Sequence, residues 1–125
     1  AFAGAGSCRA CSTASGDDVF GPDDLGFLDR PPVGARFRAE AWVRVAGNLP
    51  APSGGVALAL RTFDVPFTQR DYAASSFVAV DTTWRRLTVE LAIATPADKL
   101  NVFLSGSGGA ATCFLVDEVR VSRIE

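Results

Sequence analysis

The sequence contains no histidine and no methionine. Without imidazole, the chain cannot assemble a Ser-His-Asp triad, a histidine-ligated zinc site or a histidine proton relay. Because methionine is missing even at position 1, we expect the chain to be a processed or excised piece of a longer product. No run of about twenty apolar residues is present, so we expect no membrane-spanning helix.

The chain has the size and composition of a folded domain. Its 125 residues are 48% hydrophobic and 21% charged, which predicts a single module over residues 1–125. The formal net charge of -2 argues against nucleic acid as a partner, since phosphates are contacted by basic surfaces.

Apolar and polar residues alternate along residues 35–45, which is typical of a half-buried strand. The apolar face consists of Phe37, Ala39, Ala41, Val43 and Val45. The polar face consists of Arg36, Arg38, Glu40, Trp42 and Arg44. Similar patterns predict strands at 55–63, 75–80, 84–93, 100–105 and 113–121, with a weaker candidate at 6–12.

Helix signals are nearly absent, and residues 68–74 alone could form a turn or two of helix. The connections 13–34 and 64–75 are longer than hairpin loops. Strands without a helical period between them indicate an all-β fold, namely an antiparallel β-sandwich.

The order of the segments resembles that of a known family. A strand start at Gly6 and Ser7 precedes a long irregular stretch. Two strand segments follow, R-A-E-A-W-V-R-V and then T-T-W-R-R-L-T-V, and the second contains Trp84. N-V-F-L leads to a terminal F-L-V-D-E-V-R-V. Over residues 5–123 the pattern is similar to the carbohydrate-binding modules of the galactose-binding-domain-like jelly-roll superfamily, the type appended to xylanases and glucanases. The resemblance implies a jelly-roll sandwich and better supports the fold than the ligand.

The resemblance also implies a structural calcium ion at Asp117, with oxygen ligands from near the chain start. An Asp inside an apolar strand is costly unless it is paired or metal-bound, and oxygen ligands suit Ca²⁺. Family members usually begin with a strand that carries an aromatic-acidic pair, whereas here only A-F-A-G-A-G precedes the first strand. Five acidic residues could replace the missing N-terminal ligand, namely Asp17, Asp18, Asp23, Asp24 and Asp29. Alternatively, these residues are solvated turn residues.

The polar face of 35–45 is the first candidate for glycan contacts. Its candidate residues are Arg38, Glu40, Trp42 and Arg44. They would supply an aromatic plate for the C–H face of a sugar and charged groups for its hydroxyls. Alternatively, the Trp packs under a loop or between the sheets, and the charged residues form cross-strand salt bridges.

The predicted loop 61–74 is the second candidate, with Arg61 and Tyr72 as binding residues. Aromatics in a long polar loop are not required by the strand pattern, so they could form a binding rim. We expect Phe63 and Phe67 to plug one end of the sandwich instead. For Tyr72, stacking on a ligand and capping the sandwich both stay open.

The cysteines are Cys8, Cys11 and Cys113. A lone C-x-x-C without histidine is a poor zinc site. On a strand, Cys8 and Cys11 would point to opposite faces, so we expect one of them to pair with Cys113. A Cys11–Cys113 bond is weakly preferred to Cys8–Cys113, and the remaining thiol is either buried or available for a bond between chains.

Together these observations predict a secreted or extracellular, non-catalytic module that binds a polysaccharide or other glycan. The sequence gives little support for an enzyme. Glu40 and Glu90 have Arg neighbours, which is typical of surface ion pairs. The Gly-rich residues 105–109 lack the Lys and the helix of a phosphate-binding loop. The alternative is a structural or adhesion subunit of an extracellular assembly, a homo-oligomer or filament that completes its sheet with a strand from a neighbouring chain.

Overall fold

Antiparallel strands make up most of the residues that the computed structural model describes, which are 8–11, 19–20, 27–108 and 111–124. The strands are β1 (Cys8–Cys11), β2 (Val19–Phe20), β3 (Phe27–Asp29), β4 (Arg36–Val45), β5 (Val56–Asp64), β6 (Thr68–Ala74), β7 (Arg85–Ala92), β8 (Lys99–Ser107) and β9 (Cys113–Ile124). Within these ranges there is no helix of the length and apolarity needed to cross a membrane.

The strands form two sheets that pack face to face. The four-stranded sheet has the order β1-β9-β4-β7. The five-stranded sheet has the order β2-β8-β5-β6, with β3 also paired to β8. Neighbouring strands run antiparallel, so the predicted all-β antiparallel sandwich is confirmed.

Strand β4 shows how the sequence pattern creates the core. Its burial alternates residue by residue, with Phe37, Ala39, Ala41 and Val43 buried and the polar residues between them facing outward. These side chains meet the inward residues of β5 and β8, which are Val56, Leu58, Leu60, Leu100, Val102 and Leu104. Full burial of one large apolar side chain contributes about 1.5–3 kcal/mol, so this shared core holds the two sheets together.

A disulfide joins the first and last strands of the four-stranded sheet. Cys11 and Cys113 are directly paired in the β1–β9 ladder, with Cα atoms 4.1 Å apart. The preferred Cys11–Cys113 pairing is therefore confirmed. The side chain of Cys8 and the predicted strand start at Gly6 and Ser7 lie outside the described residues.

Two predicted segments differ in the structure. Residues 68–74 form β6, an edge strand of the five-stranded sheet, and not a turn of helix. Residues 75–80 do not form a strand, since they join β5 through an isolated bridge between Val56 and Val78. The edge of β5 is already occupied by β6. Residues 75–80 then pass close to Gly55, where an added Cβ would lie 2.7 Å from the carbonyl oxygen of Val78.

The connections predicted as loops also contain strands. Residues 61–74 form a hairpin, because β5 continues to Asp64 and β6 begins at Thr68. The long connection 13–34 contains β2 and β3, which both pair with β8. Short strands of two or three residues carry too little alternation to be recognised in a sequence.

Candidate functional site

The structure divides the residues predicted to contact a glycan between opposite faces of the sandwich. Arg38, Glu40, Trp42 and Arg44 lie on the outer face of the four-stranded sheet. Arg61 and Tyr72 are direct partners across β5 and β6, in the five-stranded sheet. Because the hydrophobic core lies between the two faces, the two groups cannot contribute to one binding site.

Arg and Glu side chains form cross-strand ion pairs on the face of the four-stranded sheet. Glu90 accepts hydrogen bonds from Arg36 at 2.9 Å and from Arg38 at 2.7 Å. Glu40 lies 3.8 Å from Arg86. The hydrogen bond from Arg38 holds the pKa of Glu90 below its ordinary value, and the same contact raises the pKa of Arg38. This geometry matches the salt-bridge interpretation of Arg38 and Glu40.

Towards the end of β4, this face opens into a depression of about 310 Å³ that is lined by Trp42, Trp84, Asp117 and Glu118. Trp42 is paired with Asp117 in the β4–β9 ladder, so the indole and the carboxylate share one face. The guanidinium carbon of Arg44 lies 5.0 Å from the ring centre of Trp84, a cation–π contact. We call the site formed by the four lining residues the tryptophan depression.

A bulge in β9 presents the two acidic residues of this depression. The register with β4 shifts where Glu118 and Val119 together lie opposite Ala41. Glu118 has a φ of 50°, in the left-handed region that non-glycine residues rarely adopt. Its N–H donates a hydrogen bond to Oδ1 of Asp117 at 2.8 Å. Bulges re-aim side chains, and here both carboxylates border the depression.

Asp117 is also the residue predicted to bind calcium. Together with Glu118 it offers fewer ligands than the six to eight oxygen atoms that Ca²⁺ takes. Among the described residues, no group of three His, Cys, Asp or Glu side chains could hold a metal ion. Of the alternative ligands, Asp17, Asp18, Asp23 and Asp24 lie outside the described residues. Asp29 pairs with Lys99, and calcium stays a prediction.

On the five-stranded sheet, Arg61 lies at the centre of a group of aromatic rings. Its guanidinium carbon is 4.3 Å from the ring centre of Phe103 and 5.0 Å from that of Phe67. Its Nε donates a hydrogen bond to Oδ1 of the buried Asn101 at 2.9 Å. These contacts orient the guanidinium plane against the sheet.

Two aromatic residues close to Arg61 are exposed, namely Phe67, which contacts its guanidinium, and Tyr72, its partner in the ladder. Tyr72 is 51% exposed and Phe67 is 52% exposed. The ring centres of Tyr72 and Phe103 are 6.3 Å apart. We call the surface formed by Arg61, Phe67, Tyr72 and Phe103, together with the buried Asn101 that supports Arg61 from below, the Arg61 face. It combines exposed aromatic surface with a guanidinium of fixed orientation.

Asn101 and Phe103 are not among the residues predicted from the sequence. The sequence pattern that could have identified them is the alternation of β8. Leu100, Val102 and Leu104 point inward, and the residues between them face outward. Of the two phenylalanines expected to plug the sandwich, Phe63 is buried. Phe67 packs against it with ring centres 5.1 Å apart but is largely exposed.

Solved structures share the fold, whereas no family model and no curated protein matches the sequence. An arabinose-bound MgGH51 α-L-arabinofuranosidase has a TM-score of 0.70 and 15% identity, and the match covers 94% of this chain and 19% of that enzyme. The CBM22-1 xylan-binding domain of Paenibacillus barcinonensis Xyn10C has a TM-score of 0.64 and 18% identity, with 100% of this chain and 76% of the domain covered. A CBM4 structure has a TM-score of 0.61 and 9% identity, with 94% and 84% covered.

These likenesses show the fold. The chain has the jelly-roll β-sandwich of carbohydrate-binding modules, as the sequence resemblance predicts. The neighbours include both binding modules and an enzyme, and a shared fold does not decide function. The ligand therefore depends on the side chains that this chain presents on its two faces.

Proposed function

We propose that this chain is a non-catalytic, extracellular carbohydrate-binding module and that the Arg61 face is its glycan-binding surface. The observation that carries this proposal is the position of the Arg61 guanidinium, which is held by a 2.9 Å hydrogen bond to Asn101 and lies 5.0 Å from the exposed ring of Phe67. The exposed ring of Tyr72, the ladder partner of Arg61, completes the surface. The jelly-roll fold shared with carbohydrate-binding modules supports it.

The chemistry of the Arg61 face fits a sugar ring. An exposed aromatic ring packs against the apolar C–H face of a pyranose, and a planar guanidinium donates hydrogen bonds to the hydroxyls at its edge. Because Arg61 is already oriented by Asn101 and Phe103, binding immobilises little additional side-chain freedom.

The groups of the Arg61 face favour binding over catalysis. Arginine stays protonated, and amide and phenyl groups do not exchange protons at neutral pH, so the phenol of Tyr72 is the single acid–base group of this surface and has no second one there to work with. The Cys11–Cys113 disulfide supports an extracellular location, since such bonds persist in oxidising compartments.

The experiment measures binding of the unmodified chain to xylan, β-glucan and chitin by affinity electrophoresis and calorimetry. For the polysaccharide that binds, Tyr72→Ala is expected to weaken affinity about two- to tenfold, the range for loss of one aromatic contact. Tyr72→Phe retains the ring and is the matched variant. Trp42→Phe, on the opposite face, is the control and is expected to leave this affinity unchanged.

Two outcomes would contradict the proposal. Absence of binding to every polysaccharide of the panel argues against the function. Binding that Trp42→Phe weakens and Tyr72→Ala does not would move the glycan to the four-stranded sheet.

A further inference from the structure

The tryptophan depression lies on the face opposite to the Arg61 face and has no part in the proposed function. Its two carboxylates differ from most of the other described acidic residues in having no ion pair. Ion pairs with Arg or Lys engage Asp29, Glu40, Asp64, Asp81 and Glu90. Asp71, Asp98 and Asp117 accept hydrogen bonds from backbone N–H groups instead, and for Asp117 the donor is the N–H of Glu118. Asp117 and Glu118 have no ion pair with any residue in the described part of the chain.

The two indoles add to the attraction for positive charge. The face of an indole ring carries negative electrostatic potential, and Trp84 already holds the guanidinium of Arg44 at 5.0 Å. Another cation of this sheet, Arg86, is paired with Trp42 in the ladder and lies 3.8 Å from Glu40. Arg44 and Arg86 thus have partners outside the Asp117–Glu118 pair.

The backbone holds these carboxylates in place at a cost. Glu118 adopts a φ of 50°, which costs a non-glycine residue on the order of 1–3 kcal/mol. Strain of this kind persists where the surrounding structure fixes it, and it concentrates at ligand-binding positions. The bulge that causes it is also what brings Glu118 to the rim beside Asp117.

From this arrangement we infer that the tryptophan depression is a second binding site, specific for an amino sugar residue with a free, protonated amine. The ammonium N–H groups would donate to Asp117 and Glu118, and the C–H face of the sugar ring would stack on an indole. A quaternary ammonium cannot donate these hydrogen bonds, and an N-acetylated sugar lacks the charge. A volume of about 310 Å³ is at the small end of ligand pockets, and it suits one sugar unit better than a long chain.

Intrinsic fluorescence reports this site selectively, because the only two tryptophans of the chain, Trp42 and Trp84, both line the depression. The unmodified protein is titrated in EDTA with glucosamine oligomers, with N-acetylated oligomers of the same length and with cello-oligosaccharides. We expect a saturable fluorescence change with the free amines, at least about tenfold weaker binding of both neutral series, and weakening by added salt.

Glu118→Gln and Asp117→Asn remove charge with little change of shape. Each is expected to weaken amine binding about three- to tenfold, with the folded state checked by thermal melting. Tyr72→Ala is the control and is expected to leave amine binding unchanged. It weakens only the polysaccharide binding assigned to the Arg61 face, so the two proposals fail separately.

The inference is overturned if neutral and amino oligomers bind equally, or if neither charge-removing variant weakens binding. It is also overturned if calcium alone changes the fluorescence and prevents amine binding, since the carboxylates would then be metal ligands. The comparison of ligands on the unmodified protein decides the question even if a variant fails to fold.

Discussion

Arg61 and Asn101 face each other across β5 and β8, joined by a hydrogen bond of 2.9 Å from Nε to Oδ1. Asn101 is 1% exposed, so its amide is a fixed acceptor below the surface. The flexible arginine side chain is thereby held over Phe103, in the orientation that the Arg61 face presents to solvent.

Replacing the acceptor tests this relationship. Asn101→Ala is expected to weaken binding of the glycan identified for the Arg61 face and to lower the free energy of unfolding by about 1–3 kcal/mol, because a buried hydrogen bond is lost. Calorimetry and denaturant unfolding measure the two effects. Thr88→Ser on the opposite sheet is the control for a mild change in a strand. Unaltered glycan affinity in Asn101→Ala would show that Arg61 binds the glycan without the hydrogen bond to Asn101.

The Cys11–Cys113 disulfide spans 102 residues, so it restricts the unfolded chain strongly. The loop-entropy relation gives a loss of up to about 4–5 kcal/mol in the free energy of unfolding when Cys11 and Cys113 are both replaced by Ser. Urea unfolding of the oxidised chain and of the double variant measures this. Cys8→Ser is expected to retain the disulfide, and its loss in that variant would reveal a different pairing.

Stability should fall in acid in part because of Glu90. Its hydrogen bond from Arg38 lowers the pKa of the folded carboxyl, so its contribution is complete above the ordinary glutamate pKa of about 4.3 and is lost as the pH falls through the lower folded value. Glu90→Gln is expected to flatten the dependence of unfolding free energy on pH in this range. The variant retains Asp29 and Asp81, whose pKa values are lowered by Lys99 and Arg85 respectively, so these two carboxyls still contribute to the pH dependence.

An unchanged pH dependence in Glu90→Gln would contradict this assignment. The matched variant is Arg36→Gln, which removes the weaker cation and leaves the Arg38 contact in place. It is expected to change the pH dependence less than Glu90→Gln does.

Oligomeric state separates the proposed binding module from the predicted alternative, a structural or adhesion subunit. A binding module is expected to stay monomeric in light scattering over the concentrations used for glycan binding. Concentration-dependent oligomers or filaments would favour the alternative. Comparing the chain with Cys8→Ser would show whether the third cysteine links the copies.

Much of the fold could be predicted from the sequence because alternation is a local property. The residues of β4 show it clearly, since Phe37, Ala39, Ala41 and Val43 each alternate with a polar neighbour and are buried. The edge strand β6 escaped prediction, because T-Q-R-D-Y-A-A exposes most of its side chains and has little apolar periodicity. An edge strand is defined by the neighbour that it pairs with, and that neighbour is not visible in the segment itself.

The sequence by itself determined the all-β class, the outward face of β4 and the absence of any imidazole chemistry, and it left Cys8 and Cys11 as alternative partners of Cys113 until the structure selected Cys11. Only the tertiary structure decided that Arg61 and Trp42 lie on opposite sides of a core, and that Phe103 and Asn101 complete the Arg61 face. It also decided that Trp42 meets Asp117. The physical reason is that alternation follows from neighbours along one strand, whereas a binding surface depends on which distant strands exchange hydrogen bonds and in what register.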